Sequence, residues 1–204
     1  MKSQIQIQIL LFGQASRNNG PEVDLLLNRK VLFSGSVSGT QNFVFAVETG
    51  QDLNSLEIVH KNKTNQDTVV NSHGDIVEDR SVELKELIIN GHRVKDTVLY
   101  NSPFFVEWPE NIVEDYKKND QAAPLFIKNT LYFGFNGTYV YEFMSDPRQE
   151  HFRQLWLDEV QAHQNQQIVE NGTEKFNRYG EKVSTDLDFD LTIFDLANFI
   201  RDDN

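Results

Sequence analysis

Along the first dozen residues polar and apolar side chains alternate, with Gln4, Gln6 and Gln8 on one side and Ile5, Ile7, Ile9 and Leu11 on the other. A period of two places each set on one face of an extended chain, so this segment predicts a strand half buried against a core. Asn18-Asn19-Gly20-Pro21 supplies a turn, and a strand pair follows over Asp24 to Leu27 and Lys30 to Phe33, joined near Asn28-Arg29. Phe43, Phe45 and Val47 alternate with Val44 and Ala46, and Leu56 to Val59 adds a further short strand. Val82 to Ile89 predicts another, whose inward set changes phase between Leu84 and Leu87 and so places a bulge near Glu86. A short run at Thr97 to Tyr100 precedes a long excursion from Ser102 to Pro124, rich in acid, proline and aromatics. Leu131, Phe133 and Phe135 then alternate before Asn136-Gly137, and Tyr139, Tyr141 and Phe143 alternate after it, which predicts a hairpin.

Eight or more short strands with turn chemistry between them and no intervening helix indicate a mainly β fold, an antiparallel β-sandwich of jelly-roll-like kind. At Asp146 the period changes. Asp146 as N-cap, Pro147 at the first helical position and Gln149 at the third start a helix. Phe152, Leu155, Trp156 and Val160 continue it at helical spacing, so an amphipathic helix is expected over residues 147–163, docked on the sandwich. Residues 164–185 are polar and read as a linker. The last twenty residues carry Leu187, Phe189, Leu191, Ile193, Phe194, Leu196, Phe199 and Ile200 among six Asp. Such a segment either packs back on its own domain or orders on a partner. The expected organisation is a sandwich over 1–145 and a short α-helical C-terminal extension over 146–204, made of helix, linker and terminal arm.

Composition narrows the function classes. Fifteen Phe, six Tyr and two Trp supply a core for 204 residues, and the net charge of -12 argues against a nucleic-acid partner, which clustered Lys and Arg would have to hold. The absence of Cys removes disulfides, thiolate metal sites and Cys nucleophiles. The N-terminus is too short and too polar to read as a secretory signal and no run is apolar enough to span a bilayer, so synthesis in a cytoplasm and no membrane partner are expected. Asp186, Asp188 and Asp190 alternate as in a calcium loop, but Leu191 stands at the sharp-turn glycine and Ala197 at the bidentate acid, which excludes an EF-hand. No phosphate loop, nucleophile elbow or zinc-helix motif occurs, and the five His show no ligand spacing. Carboxylates such as Glu107 and Glu110 are too numerous to nominate an acid and base, so no enzyme is expected.

The stretch Leu56 to Gly91, LEIVHKNKTNQDTVVNSHGDIVEDRSVELKELIING, joins a strand, a polar loop, an Asp-Arg turn and a strand ending in Asn-Gly. This pattern resembles the small calcium-dependent carbohydrate-binding modules of the xylan-binding kind. The resemblance implies Ca²⁺ as cofactor, with Asp79 as a ligand by match of position and Asp67 as a second, and sugar hydroxyls completing the coordination. Hard loop oxygens are what that ion takes. The alternative is structural: Asp67 and Asp79 cap turns, or pair with Arg80 or Lys63 to hold two strands together. Trp108 is the aromatic expected to stack on sugar.

Residues 3–145 as a whole, through IQIQIL, LLLNRKVLFSG, HKNKTNQDT, EDRSVELKELIING and LYFGFNGTYVYEF, look like a β-sandwich type found in tailed bacteriophages, especially of marine cyanobacteria. That resemblance implies a virion accessory protein of capsid, neck or tail, made in the host cytoplasm and located in the virion. Its partners would be other virion proteins and further copies of itself in a homo-oligomer. Phe189, Leu191, Phe194, Leu196, Phe199 and Ile200 would then grip the particle. A non-enzymatic structural role is the first expectation. The alternative is a calcium-dependent carbohydrate-binding module that adheres to a host-surface glycan.

Overall fold

The structure, a computed structural model, describes residues 3–146, 148–150, 153 and 157. Two antiparallel sheets face one another within the compact unit Met1–Pro147, so the mainly β sandwich expected from the alternation is present. The first sheet contains β1 (Ser3–Gln14), β4 (Gly39–Thr49), β8 (Ser81–Ile89), β9 (His92–Arg93) and β12 (Tyr132–Phe133). Its order is β12-β8-β1-β4, with β9 paired to β8. The second contains β2 (Glu22–Leu27), β3 (Lys30–Ser36), β5 (Leu53–Lys61), β10 (Phe104–Val106), β11 (Phe126–Ile127) and β13 (Gly137–Met144), in the order β11-β10-β13-β5-β2-β3. A small ribbon of β6 (Val69–Val70) and β7 (Ile76–Glu78) stands apart in the loop between β5 and β8.

Alternation decides what fills the space between the sheets. Ile5, Ile7, Ile9 and Leu11 of β1 are fully buried, and Val82, Leu84, Leu87 and Ile89 join them from β8. Val23, Leu25, Leu27, Leu56, Ile58, Tyr139, Tyr141 and Phe143 close the core from the second sheet. Phe133 of the first sheet meets Phe104 and Tyr139 of the second with ring centroids 4.9 and 5.2 Å apart, so aromatic contacts lock one end of the sandwich. The Tyr139 hydroxyl keeps its donor satisfied inside the core by donating to the Leu99 carbonyl at 2.8 Å.

The phase change in β8 is a bulge: Leu10 faces Glu86 while Leu11 faces Leu84, which leaves Lys85 as the extra residue. Asn28 and Arg29 both have positive φ, the backbone a two-residue hairpin between β2 and β3 requires. Several strands run longer than expected, including Glu22–Leu27, Lys30–Ser36 and Leu53–Lys61.

Two expectations are corrected. Helices do intervene: α1 (Asp96–Asn101) replaces the short run at 97–100, and α2 (Glu110–Lys118) lies inside the excursion. Burial of Val98 and Leu99 holds α1, and a half-buried stripe of Ile112, Val113 and Tyr116 holds α2. Glu110 in the first turn and Lys117 and Lys118 in the last suit the α2 dipole. The segment 131–143 is not a hairpin, because β12 pairs with β8 in the first sheet whereas β13 pairs with β5 and β10 in the second. The chain therefore crosses between sheets at Gly134 to Asn136. Gly137, with φ of 153°, allows that crossing, since a Cβ there would run into the Phe105 carbonyl oxygen.

Of the helix expected over 147–163, the described residues 148–150, 153 and 157 are helical. Phe189, Leu191, Phe194, Leu196, Phe199 and Ile200 lie outside the described residues. Among the described residues no helix is long and apolar enough to cross a membrane.

Candidate functional site

A groove of about 390 Å³ opens at one end of the sandwich, between the loop that links β5 to β8, the start of α2 and the sheet-to-sheet crossing. Each wall comes from a different segment. The loop contributes Lys63, Thr64, Asn65, Thr68, Ile76 and Asp79, the approach to α2 contributes Glu107, Pro109, Asn111 and Ile112, and the crossing contributes Tyr132, Gly134, Phe135 and Asn136.

The loop is held in shape by its own acids. Asp67 accepts from the Thr64 backbone N–H at 2.6 Å and from the Thr64 hydroxyl at 2.8 Å, a reach-back of capping-box type across one 3₁₀ turn, Asn65–Asp67. Its other oxygen meets Arg80 at 3.0 Å, and Arg80 also donates to the Asn62 carbonyl. Burial opposes ionisation of Asp67, but the Thr64 donors, Arg80 and Lys63 outweigh it and hold the carboxyl below its ordinary range. Asp67 thus ties the two ends of the loop together from within.

Asp79 stands in the groove wall. One of its oxygens accepts from Lys63 Nζ and, at 2.7 Å, from the Thr68 hydroxyl, while the other accepts from the Tyr132 hydroxyl at 2.8 Å. The Lys63 and Asp79 side chains are only 10% and 8% exposed, so this is a buried ion pair with its remaining valences filled by hydroxyls. Burial foremost, with the neighbouring Asp79 charge, pushes the Tyr132 hydroxyl up to about 12, so it remains a donor. His60, at the inner end of β5, places Nδ1 2.9 Å from the Phe135 carbonyl. Burial lowers its pKa to about 4, so the ring is neutral and Nδ1 carries the donated hydrogen at neutral pH.

The sequence-level candidates fall in three places. Asp79 lines the groove, and Asp67 lies inside the loop beneath it without lining it. Trp108 does not line the groove: its indole N–H donates to the Pro124 carbonyl at 2.6 Å, and its ring packs on Phe135, 5.1 Å away, and on Tyr116. The groove's own aromatics are Tyr132, 45% exposed, and the half-buried Phe135. Neither was a sequence candidate, because the alternation around Phe133 assigned both to strand and hairpin. Gly134 gives the Tyr132 ring its room, since a Cβ there would come within 2.8 Å of it.

Calcium takes about six to eight oxygens around one point. Asp79 instead has a lysine ammonium at its carboxylate, and Asp67 has a guanidinium. Among the described residues no three His, Cys, Asp or Glu side chains gather around one point. The donor set around the two aspartates therefore does not fit a calcium ion.

No family model matches the chain, and no curated protein matches it in sequence. Among solved structures it is similar to a vCBM60 module in complex with galactobiose, at 14% identity and a TM-score of 0.40, over 67% of this chain and 96% of that one. It is similar also to the selenomethionine form of vCBM60, described as part of an evolutionary link by circular permutation between two families of calcium-dependent carbohydrate binding modules. There the identity is 13% and the TM-score 0.41, over 67% of this chain and 89% of that one. Both likenesses are slight, and no residue is carried across them.

Proposed function

We propose that this chain is a non-catalytic carbohydrate-binding module whose groove takes a short stretch of neutral sugar. The supporting observation is the pairing of aromatic faces, Tyr132 and Phe135, with a polar rim of Asn65, Thr68, Asn111 and Glu107 around one concavity. A pyranose ring has an apolar C–H face and an edge of hydroxyls, and those two surfaces ask for this combination. The volume lies in the range of small-molecule sites, roughly 300 to 1,000 Å³. Glycoside cleavage needs two carboxyl groups at liberty. Of the two carboxylates that line this groove among the described residues, Asp79 is committed to Lys63, Thr68 and Tyr132, which leaves Glu107.

Calorimetric titration with galactobiose and with xylo-oligosaccharides tests the reading. Binding is expected to weaken about tenfold in Tyr132→Ala, the equivalent of one lost stacking contact. Saturable binding that survives this substitution unchanged sinks the proposed groove, and failure of every neutral oligosaccharide to bind sinks the function.

A further inference from the structure

The misfit between the aspartates and a calcium ion has a chemical counterpart in Lys63. This residue is the one cationic side chain among the described residues lining the groove. Its backbone is gripped at both polar groups by Asn136, whose amide oxygen accepts from the Lys63 N–H at 2.8 Å and whose amide nitrogen donates to the Lys63 carbonyl at 2.9 Å. Its ammonium rests on Asp79 and lies 5.7 Å from the centre of the Phe135 ring. Both the direction and the depth of this charge are thereby set before any ligand arrives.

We infer that the Lys63 ammonium is the cation of the binding groove, standing against Asp79 beside Phe135, and that sugar recognition runs on it without a divalent metal ion. The inference rests on the reading of the groove as a glycan site. An ammonium has three N–H donors. Asp79 takes one, and the others are left for ligand hydroxyls where the ammonium stands over the Phe135 ring. A metal ion approaching Asp79 has to displace the lysine and then sit beside its charge, in a pocket where the carboxylate is already neutralised and accepts from two hydroxyls. Glu107, the one carboxylate left on the rim among the described residues, and the chain's net charge of -12 direct the same groove away from acidic sugars.

The full chain answers this in two independent arms. Without any sugar, its melting temperature is expected to be equal in calcium chloride and in EDTA, because a ligand of the native state must raise it. A calcium-induced rise that Asp79→Asn abolishes overturns the inference. With galactobiose, wild-type affinity is expected to be the same in both buffers and to fall about tenfold in Lys63→Met in both. Loss of wild-type binding in EDTA, or unchanged affinity in Lys63→Met, overturns it. Should Lys63→Met fail to fold, Lys63→Arg keeps the charge in a different geometry, and it is expected to fold and bind more weakly; wild-type affinity in that variant counts as refutation. If no neutral sugar binds the wild-type chain, the proposed function falls, while the calcium arm still decides whether Asp79 is a metal site.

Discussion

Asn136 and Lys63 form a closed two-bond clamp, side chain to backbone, between the sheet-to-sheet crossing and the loop that follows β5. Replacing Asn136 with Ala leaves a backbone N–H and a backbone carbonyl without these partners. The expected cost is about 2 kcal/mol, read as a lower urea midpoint with an unchanged slope. Asn136→Asp retains the acceptor and loses the donor, so an intermediate loss is expected.

Gly137 and Gly91 both have positive φ, but they differ in what surrounds them. A Cβ at Gly137 meets the Phe105 carbonyl and the Phe104 ring, whereas one at Gly91 meets nothing within 4 Å. Gly91→Ala is expected to cost about 1 kcal/mol, for backbone strain alone. Gly137→Ala is expected to cost several-fold more because the β10–β13 pairing has to part, and equal melting temperatures for the two variants would refute the close approach.

Stability is expected to fall below neutral pH in two stages. The folded pKa of His60 is about 4, against an ordinary value of 6.5, so between those values the unfolded chain binds the additional proton. The stabilisation is complete above pH 6.5 and is lost as pH falls towards 4, by about 3 kcal/mol in all. Asp67, held below its ordinary 3.8, contributes stability that is lost only at still lower pH, as its folded form protonates. Urea titrations at a series of pH values, with His60→Gln as control, check the first stage: the variant should show a flatter profile between 6.5 and 4.

Tyr132→Phe keeps the ring in the groove and removes the hydroxyl from Asp79. A loss of about 1 to 2 kcal/mol is expected in thermal or urea unfolding. Gly134→Ala is expected to displace the ring and with it the hydroxyl from Asp79, so it should weaken sugar binding as well as lower stability.

Features set by neighbours along the chain could be read from sequence. The alternation of β1 named its buried set, and the phase slip between Leu84 and Leu87 placed the bulge near Glu86, one residue from Lys85, where it stands. Features set across the chain could not. Asn136-Gly137 has the residue chemistry of a hairpin turn, yet its asparagine serves Lys63 and its glycine serves a close approach to Phe105. Hairpins with that chemistry do occur, at Asn28-Arg29 and at Asn90-Gly91, where Ile89 faces His92. With six residues, α1 is too short to display a helical period, and α2 shows one only through Ile112, Val113 and Tyr116 among charges. Asp67 and Asp79 stood out in the sequence with ion binding and ion pairing both open. The geometry pairs Asp79 with Lys63 and Asp67 with Arg80. Trp108 was visible for its size, whereas Tyr132, on the opposite phase from Phe133, and Phe135, on the same phase, both read as plain strand positions.

Lys63 and Asn136 are separated by 73 positions, and the strands between them include members of both sheets. Contacts of such separation form only once the intervening chain has condensed. No fragment ending before residue 136 or starting after residue 63 contains the groove. Occupancy of the groove therefore doubles as a report on completed folding, and during synthesis binding competence should arrive abruptly, with β13, rather than grow strand by strand.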